Sequence, residues 1–134
     1  MHEQWPWHRK KIDLELKQKR KAHRYGYFAE WLVLLLLMLK GYRLLARRYA
    51  VQGGEIDLIM RRGQLVVFIE VKARRDLQSA IHAIDHRKWR KFARTVRVWL
   101  QRNPWACEYS LRCDAAYIIN GWRMHYIEDA FQFD

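Results

Sequence analysis

Two stretches decide the fold, Gly54-Glu-Ile-Asp-Leu-Ile59 and Leu65-Val-Val-Phe-Ile-Glu-Val-Lys72. The second is apolar until its last residues, which is typical of a central strand covered on both faces. The intervening Arg61-Arg-Gly-Gln64 has the composition of a turn, so the two stretches predict a β-hairpin. Because alternate strand residues share a face, Glu70 and Lys72 should lie side by side at the end of the second strand.

The predicted hairpin brings acidic side chains together. If its turn is centred at 62–63, Asp57 lies opposite Phe68 and diagonal to Glu70, and Glu55 lies directly opposite Glu70. Diagonal positions are about 7–8 Å apart, which is close enough for Asp57 and Glu70 to bind one divalent ion. A one-residue change of register would move the two acids to opposite faces of the sheet.

The segments on either side of the hairpin complete an α/β pattern. Tyr25–Leu39 is apolar nearly all round, which predicts a buried helix that ends at Gly41. The other predicted elements are strands Tyr42–Val51, Glu55–Met60 and Leu65–Ala73, helix Asp85–Arg102, and strands Leu111–Ile119 and Trp122–Ile127 around the Asn120-Gly121 turn. The order α-β-β-β-α-β-β predicts a mixed central sheet flanked by helices.

The acidic residues suggest a metal-dependent hydrolytic site. Glu30 lies on the first predicted helix at the edge of the core, and we expect it near the cleft that holds Asp57 and Glu70. Two or three carboxylates suit Mg²⁺ or Mn²⁺, and a lysine such as Lys72 can stabilise the charge of an attacked phosphate. The alternative is that Glu70 and Lys72 form an ordinary salt bridge at a strand end.

The charge of the chain points to a polyanionic partner. Lys and Arg number 26 against 14 Asp and Glu, which gives a formal net charge of +12. Nucleic acid is therefore the first expected partner, and a merely solubilising role is the alternative. The residues predicted to contact nucleic acid are Arg47, Arg48, Arg74, Arg87, Lys88, Arg90, Lys91 and Arg94.

The length of 134 residues favours one domain. We predict a basic arm over residues 1–24 and a single nuclease-like domain over 25–134. Cys107 and Cys113 are too few for a disulfide framework, which predicts reduced thiols and a cytoplasmic setting. The apolar run Trp31–Leu39 is about half the ~20 residues of a membrane span, so we expect no span. A membrane-surface role for the arm would rest on composition alone.

The hairpin residues also resemble a known family. Gly54–Ile59 and Val67–Arg74 resemble the YraN family of uncharacterised bacterial proteins, which is similar to the archaeal Holliday junction resolvases and the PD-(D/E)xK nucleases. The resemblance continues outside the hairpin, at Gly26–Glu30, Gly41-Tyr42, Asp114-Ala-Ala116 and Ile127–Phe131. The basic arm is an addition to the pattern, and Ile56 stands where many members of the wider group have proline.

The resemblance implies a restriction-endonuclease-like core and assigns roles to single residues. Asp57, Glu70 and Lys72 would be catalytic, and Glu30, Asp57 and Glu70 would bind Mg²⁺ or Mn²⁺. The implied activity is hydrolysis of DNA, favoured over RNA, at branched or repair and recombination intermediates, without a small-molecule cofactor. A non-catalytic nucleic-acid-binding module of the same fold is the alternative. The sequence leaves open whether the protein forms a homodimer.

Overall fold

The computed structural model describes residues 14–16, 27–82 and 86–132, so the predicted arm at 1–24 lies almost wholly outside the described residues. Within them, the strands are β1 (Arg43–Val51), β2 (Gly54–Arg62), β3 (Leu65–Arg74), β4 (Ser110–Ile119) and β5 (Arg123–Phe131). These five strands form one mixed sheet in the order β1-β2-β3-β4-β5. In this sheet β3 and β4 are parallel, and the other neighbours are antiparallel.

Helices flank this sheet on both faces. Residues 27–39 form α1, which is followed by the short helix α2 (Leu77–His82) and by α3 (His86–Arg102). The helices α2 and α3 make the crossover that a parallel pair of strands requires between β3 and β4. A 3₁₀ helix over Pro104–Glu108 leads into β4. The predicted mixed sheet flanked by helices is confirmed, and its architecture is consistent with a restriction-endonuclease-like core.

The helix α2 was not predicted, because six residues are too few to show a helical period. Its start carries a local signal, since Asp76 Oδ1 accepts a 2.7 Å hydrogen bond from the Ser79 backbone N–H. The predicted start of the next helix, Asp85, lies outside the described residues.

The central strand β3 separates two hydrophobic cores. Phe68 packs with α3 on one face, where its ring centroid lies 5.4 Å from that of Trp99. Val67 and Ile69 pack with α1 on the other face. These β3 residues are fully buried, which confirms that the apolar run is a strand covered on both sides.

Helix α1 is buried on one side only. Its residues Val33 and Leu37 are almost fully buried against the sheet, whereas Trp31, Leu35 and Leu39 are 53%, 56% and 76% exposed. The prediction of a helix buried all round is therefore wrong. A sheet can cover only one side of a helix, and no second layer covers the outer side of α1 in the described part of the chain.

The β2–β3 hairpin differs from its predicted register by two residues. Its turn comprises residues 63–64 alone, and Ile59 rather than Asp57 pairs with Phe68. Within the paired part, from Leu58 to Leu65, a two-residue shift leaves the side chains on their predicted faces, whereas a one-residue shift would have reversed them. Before Leu58 the alternation breaks, since Ile56 and Ile59 both pack in the core on the α3 side.

The shift arises because two arginines continue β2 instead of turning. The guanidinium carbon of Arg61 lies 4.7 Å from the ring centroid of Tyr109, and that of Arg62 lies 4.4 Å from the ring centroid of Tyr42. These contacts cover the long side chains and favour an extended backbone at both positions. Gly63 then takes the positive φ of 59° that the shorter turn requires.

The remaining ends of the elements follow ordinary rules. Gly41 has φ 92°, and Tyr42 N–H donates to Leu37 O at 3.1 Å, so the predicted stop of α1 is confirmed. Asn120 and Gly121 both have positive φ, as the predicted hairpin turn between β4 and β5 requires. Both cysteines are free. In the described ranges no helix is long and apolar enough to cross a membrane.

Candidate active site

Asp57 lies on β2, one residue beyond the last β2–β3 pair, Leu58 with Ile69. Its Oδ2 accepts a 2.7 Å hydrogen bond from the Val71 backbone N–H. The hydrogen bond from Val71 holds this carboxyl group at the end of the ladder, and the charge of the neighbouring Glu70 acts on it. The two carboxyl groups therefore meet where β2 and β3 stop pairing.

Glu55 does not join them in the predicted way. It pairs with Ala50 of β1 instead of with Glu70, and its side chain is exposed. The reason is that the pairing of β2 with β3 stops at Leu58, so Glu55 lies beyond the ladder.

The electrostatics of Asp57 reflect burial beside other acids. Burial raises the pKa of Asp57 to about 8, and repulsion from Glu70 adds to this effect. The hydrogen bond from Val71 lowers the same pKa, and Glu30 raises it further. The Asp57 and Glu70 side chains are close enough to share a hydrogen bond once one of them is protonated. Such a pair of carboxyl groups is stabilised by a shared proton or by a bound cation.

Glu70 and Lys72 form an ion pair at the end of β3. Lys72 Nζ lies 2.8 Å from Glu70 Oε1, and the two side chains are 18% and 17% exposed. Taken alone, this is the ordinary salt bridge that the sequence left open. Its position beside Asp57 distinguishes it, because Lys72 places a positive charge next to one of two acids that repel each other.

Glu30 reaches the site from α1. It is 6% exposed, and its Oε2 lies 2.8 Å from Arg48 Nε. Arg48 has φ 52° and lies across β1–β2 from Asp57, because the neighbouring pairs are Arg47 with Leu58 and Tyr49 with Ile56. Its guanidinium also covers the Tyr27 ring at 3.6 Å. Arg48, a predicted nucleic-acid contact, therefore has an internal partner.

Two carboxyl groups of the site, those of Asp57 and Glu70, are suitable ligands for a hard divalent ion. Among the described residues, no three Asp, Glu, His or Cys side chains are grouped closely enough for a ready-made metal site. Glu30 is paired with Arg48, which leaves Asp57 and Glu70 as the carboxylate pair. One or two carboxylates are the usual protein ligands of Mg²⁺, whose remaining positions are filled by water and substrate phosphate. A cation there would also offset the repulsion between these two acids.

The basic helix α3 is amphipathic, as predicted. Its buried stripe comprises Phe92, Ala93, Thr95, Val96 and Trp99. The exposed basic residues on its other side are Arg87, Lys88, Arg90, Lys91, Arg94 and Arg97. Lys88 and Lys91 also line a pocket that reaches Glu70, so this helix carries positive charge to the edge of the site.

Two other predicted contacts lie elsewhere. Arg47 lies on the α1 side, with its guanidinium 4.2 Å from the ring centroid of Trp31. The Nε of Arg47 is buried without a hydrogen-bond partner among the described residues. Arg74, at the end of β3, is exposed and donates a 2.7 Å hydrogen bond to the Ala73 carbonyl. The structure does not bring these arginines together with the α3 residues.

Sequence reasoning missed Tyr117. This residue of β4 pairs with Lys72 across the parallel β3–β4 ladder and is 4% exposed. Burial raises the pKa of Tyr117, and the charge of Glu70 adds to it, so the phenol lies beside the Glu70–Lys72 pair. Only the β3–β4 register shows this, because nothing in the apolar run 115–119 distinguishes Tyr117 from a core residue.

A second missed cluster surrounds Asp114, which is fully buried. Arg112 donates to both of its oxygens at 2.8 Å, and Tyr126 OH and the Asp129 backbone N–H also donate to it. Strand β5 ends at Phe131, four residues beyond its predicted end at Ile127, and Asp129 lies in this additional part. With both oxygens satisfied within the protein, the cluster is structural. The sequence signal was Arg112 two residues before Asp114 on one strand face.

Comparison with known proteins identifies the family. The model for the uncharacterised protein family UPF0102 matches residues 29–118. The chain belongs to this family. The UPF0102 match contains Glu30, Asp57, Glu70 and Lys72, together with the Asp114 cluster except for its β5 members.

UPF0102 relatives cover most of the chain. A UPF0102 protein of Methylobacterium nodulans is 48% identical over 116 residues, which is 86% of this chain and 90% of the relative. One from Methylorubrum extorquens is 49% identical over 118 residues, 87% of this chain and 91% of the relative. One from Agrobacterium fabrum is 39% identical over 120 residues, 90% of this chain and 98% of the relative. These names confirm the expected family and give no activity.

Proposed function

We propose that this UPF0102 protein is a metal-dependent nuclease that hydrolyses phosphodiester bonds of DNA, with branched or repair and recombination intermediates as its substrate class. The observation that carries the proposal is that Asp57 lies beside Glu70 at the open end of the β2–β3 ladder, with Lys72 Nζ 2.8 Å from Glu70. Buried acids with a raised pKa next to a specific cation are more frequent at functional sites than at structural ones.

The proposed roles follow from the charges. Asp57 and Glu70 would hold Mg²⁺ or Mn²⁺, and Glu30 would be the nearby third acid. The chemistry that such an ion supplies is a lowered pKa of the attacking water and partial neutralisation of the phosphate. In hydrolysis a water oxygen bonds to phosphorus while one P–O ester bond breaks. Lys72 would stabilise the negative charge that grows on the phosphate oxygens.

The surface around the site supports a nucleic-acid substrate. The exposed arginines and lysines of α3 occupy the side of the helix opposite its buried stripe. Lys88 and Lys91 connect this basic surface to Glu70 through the pocket. A phosphate backbone held along α3 would therefore pass close to the proposed catalytic residues.

A second candidate is a nucleic-acid-binding module that does not cleave. The observation in its favour is that Glu70 and Glu30 each have an internal cation, Lys72 and Arg48. If those ion pairs persist when nucleic acid binds, the acids stay neutralised and the fold serves only for binding.

A cleavage assay separates the two candidates. End-labelled linear, flapped and four-way DNA is incubated with Mg²⁺, Mn²⁺ or a chelator, and DNA binding is measured in parallel. The nuclease proposal expects metal-dependent cutting that Asp57→Asn, Glu70→Gln and Lys72→Ala each lower by at least about 100-fold. Binding should stay within a few fold, because it rests on α3.

The matched control is Glu108→Gln, which removes one carboxylate from an exposed position far from the site in sequence. It should cut like the wild type. Tight binding with no cutting on any substrate would favour the binding module. Cutting that survives Asp57→Asn would point to a contaminating enzyme and contradict the proposal.

A further inference from the structure

The pocket beside Glu70 has an aromatic interior. It has a volume of about 150 Å³ and lies between the first turns of α3 and the ends of β2 and β5. Trp89, Phe92 and Phe131 line it, and Phe92 packs edge-to-face on Phe131. An apolar cavity of roughly this volume holds one benzene ring. The pocket therefore suits one aromatic ring, and a stacked base pair is too large for it.

Polar groups surround this aromatic interior. Lys88 and Lys91 of α3 lie on one side, and Glu55 and Glu70 lie on the other. The lysines suit a phosphate, and the Glu55 carboxylate can accept hydrogen bonds from ring or exocyclic N–H groups, while Glu70 belongs to the proposed metal site. Aromatic walls, phosphate-binding cations and N–H acceptors within one small pocket are the combination that a nucleotide requires.

The pocket is held in shape by a close approach of β2 to α3. A Cβ at Gly54 would overlap the Thr95 hydroxyl and would lie 2.9 Å from the Lys91 carbonyl oxygen. Thr95 Oγ1 is itself fixed by a 2.8 Å hydrogen bond to Lys91 O. The wall that carries Lys91 is thus fixed against the strand that carries Glu55.

From these features we infer that the pocket binds one unpaired pyrimidine base next to the phosphate that is cut. The inference rests on the proposed function, because Glu70 belongs to both sites. It narrows the substrate class to DNA with unpaired nucleotides, such as flaps, overhangs and single strands. A base inside a continuous duplex would first have to leave its stack, which opposes binding.

The inference is tested by binding and cross-linking in the presence of a chelator, so that no cutting is needed. We expect the protein to bind twelve-nucleotide oligothymidine at least about fivefold more tightly than a blunt duplex of equal length, the lower limit for one stacked base. Oligoadenosine should bind less tightly than oligothymidine. Ultraviolet cross-linking of an oligonucleotide with one 5-iodouracil should attach it to Trp89, Phe92 or Phe131.

Variants separate the pocket from the general basic surface. Trp89→Ala should remove the preference for oligothymidine, whereas Trp89→Phe keeps an aromatic wall and should retain most of it. Lys91→Gln should weaken oligothymidine binding more than Lys40→Gln, which removes the same charge from the exposed end of α1. If Trp89→Ala fails to fold, the cross-linked residue in the wild type decides the matter.

Equal affinities for oligothymidine and duplex, or cross-links that map outside the pocket, would overturn the inference. The proposed nuclease activity fails separately. A strong preference with no cutting on any DNA would retain the pocket as a binding site and reject the enzyme. Cutting of duplex and unpaired DNA at equal rates would retain the enzyme and reject the pocket as a site for an unpaired base.

Discussion

The Asp57 side chain accepts a 2.7 Å hydrogen bond from the Val71 backbone N–H, at the point where β2 and β3 stop pairing. This contact fixes one acid of the candidate site to the strand that carries the other, Glu70. It lowers the pKa of Asp57, but burial and the charge of Glu70 outweigh it and raise that pKa to about 8. The site therefore holds a proton that an exposed aspartate would have lost.

The first prediction concerns the pH dependence of stability without metal. Because the pKa of Asp57 in the folded chain lies above its ordinary value of 3.8, the folded state keeps a proton that the unfolded state releases between about pH 4 and pH 8. Asp57 therefore lowers stability progressively as pH rises through that window. Asp57→Asn should raise the melting temperature at pH 8 and leave it nearly unchanged at pH 4.5, measured by thermal unfolding in a chelating buffer.

Glu108→Gln is again the control and should shift the melting temperature equally at both pH values. An Asp57→Asn shift that is the same at pH 4.5 and pH 8 would mean that Asp57 is ionised in the folded chain. The close pairing with Glu70 would then need another source of stability.

The second prediction concerns metal binding. Mg²⁺ or Mn²⁺ must displace the proton of Asp57, so its stabilising effect should grow from pH 6 to pH 8. At a concentration of 100 times the dissociation constant, the gain would be about 2.7 kcal/mol. The check is thermal unfolding of the wild type and Asp57→Asn with and without metal. The same shift in both proteins would place the ion at some other site.

The sequence was sufficient for the main features of the fold and for the proximity of Asp57 to Glu70. The apolar run of β3 and the spacing of Glu70 and Lys72 depend on strand geometry, which is local. Within the ladder the faces also survived the error in register, because Ile59 and Phe68 moved by two positions relative to their predicted partners and not by one. Local pattern thus determined which side chains share a face up to Leu58, where the ladder ends and the alternation breaks.

The details that depend on distant contacts were not predictable. Arg61 continues β2 because Tyr109 covers it, and Glu30 pairs with Arg48, 18 residues away. Tyr117 reaches Lys72 only through the parallel ladder. No periodic pattern or motif in the sequence signals these contacts, because each depends on which elements are neighbours in the fold.

The third prediction concerns the Asp114 cluster, which should determine stability and not catalysis. Asp114→Ala removes the acceptor of Arg112, Tyr126 and the Asp129 N–H together. We expect it to lower the free energy of unfolding by about 3–5 kcal/mol, since it leaves the partly buried Arg112 with the exposed Glu128 as its remaining ion-pair partner among the described residues. Urea unfolding measures this effect.

The control is Glu128→Gln, because the Glu128 side chain is 63% exposed and lies 3.6 Å from Arg112. It should change the free energy of unfolding by less than about 1 kcal/mol. Equal effects of the two substitutions would contradict a structural role.

The last prediction concerns the basic face of α3. If Z of its exposed side chains neutralise phosphates, the logarithm of the binding constant falls against the logarithm of salt concentration with a slope of about −0.9Z on duplex DNA. Four contacts would give about −3.6.

Reversing two of these charges, Arg90→Glu with Arg94→Glu, should make that slope less steep by about 1.8, because two phosphate contacts are lost. Both residues are exposed and lie off the buried stripe of α3, so the domain should stay folded, which circular dichroism checks.

The matched control reverses two exposed charges outside α3, Lys40→Glu with Arg123→Glu, and has the same net charge. If binding depends only on net charge, both double variants will change the slope equally. A change confined to the α3 variant would identify this helix as the surface that contacts DNA. Parallel slopes for the wild type and the α3 variant would mean that α3 only solubilises the domain, and the contacts would then have to be sought at Arg47 and Arg74.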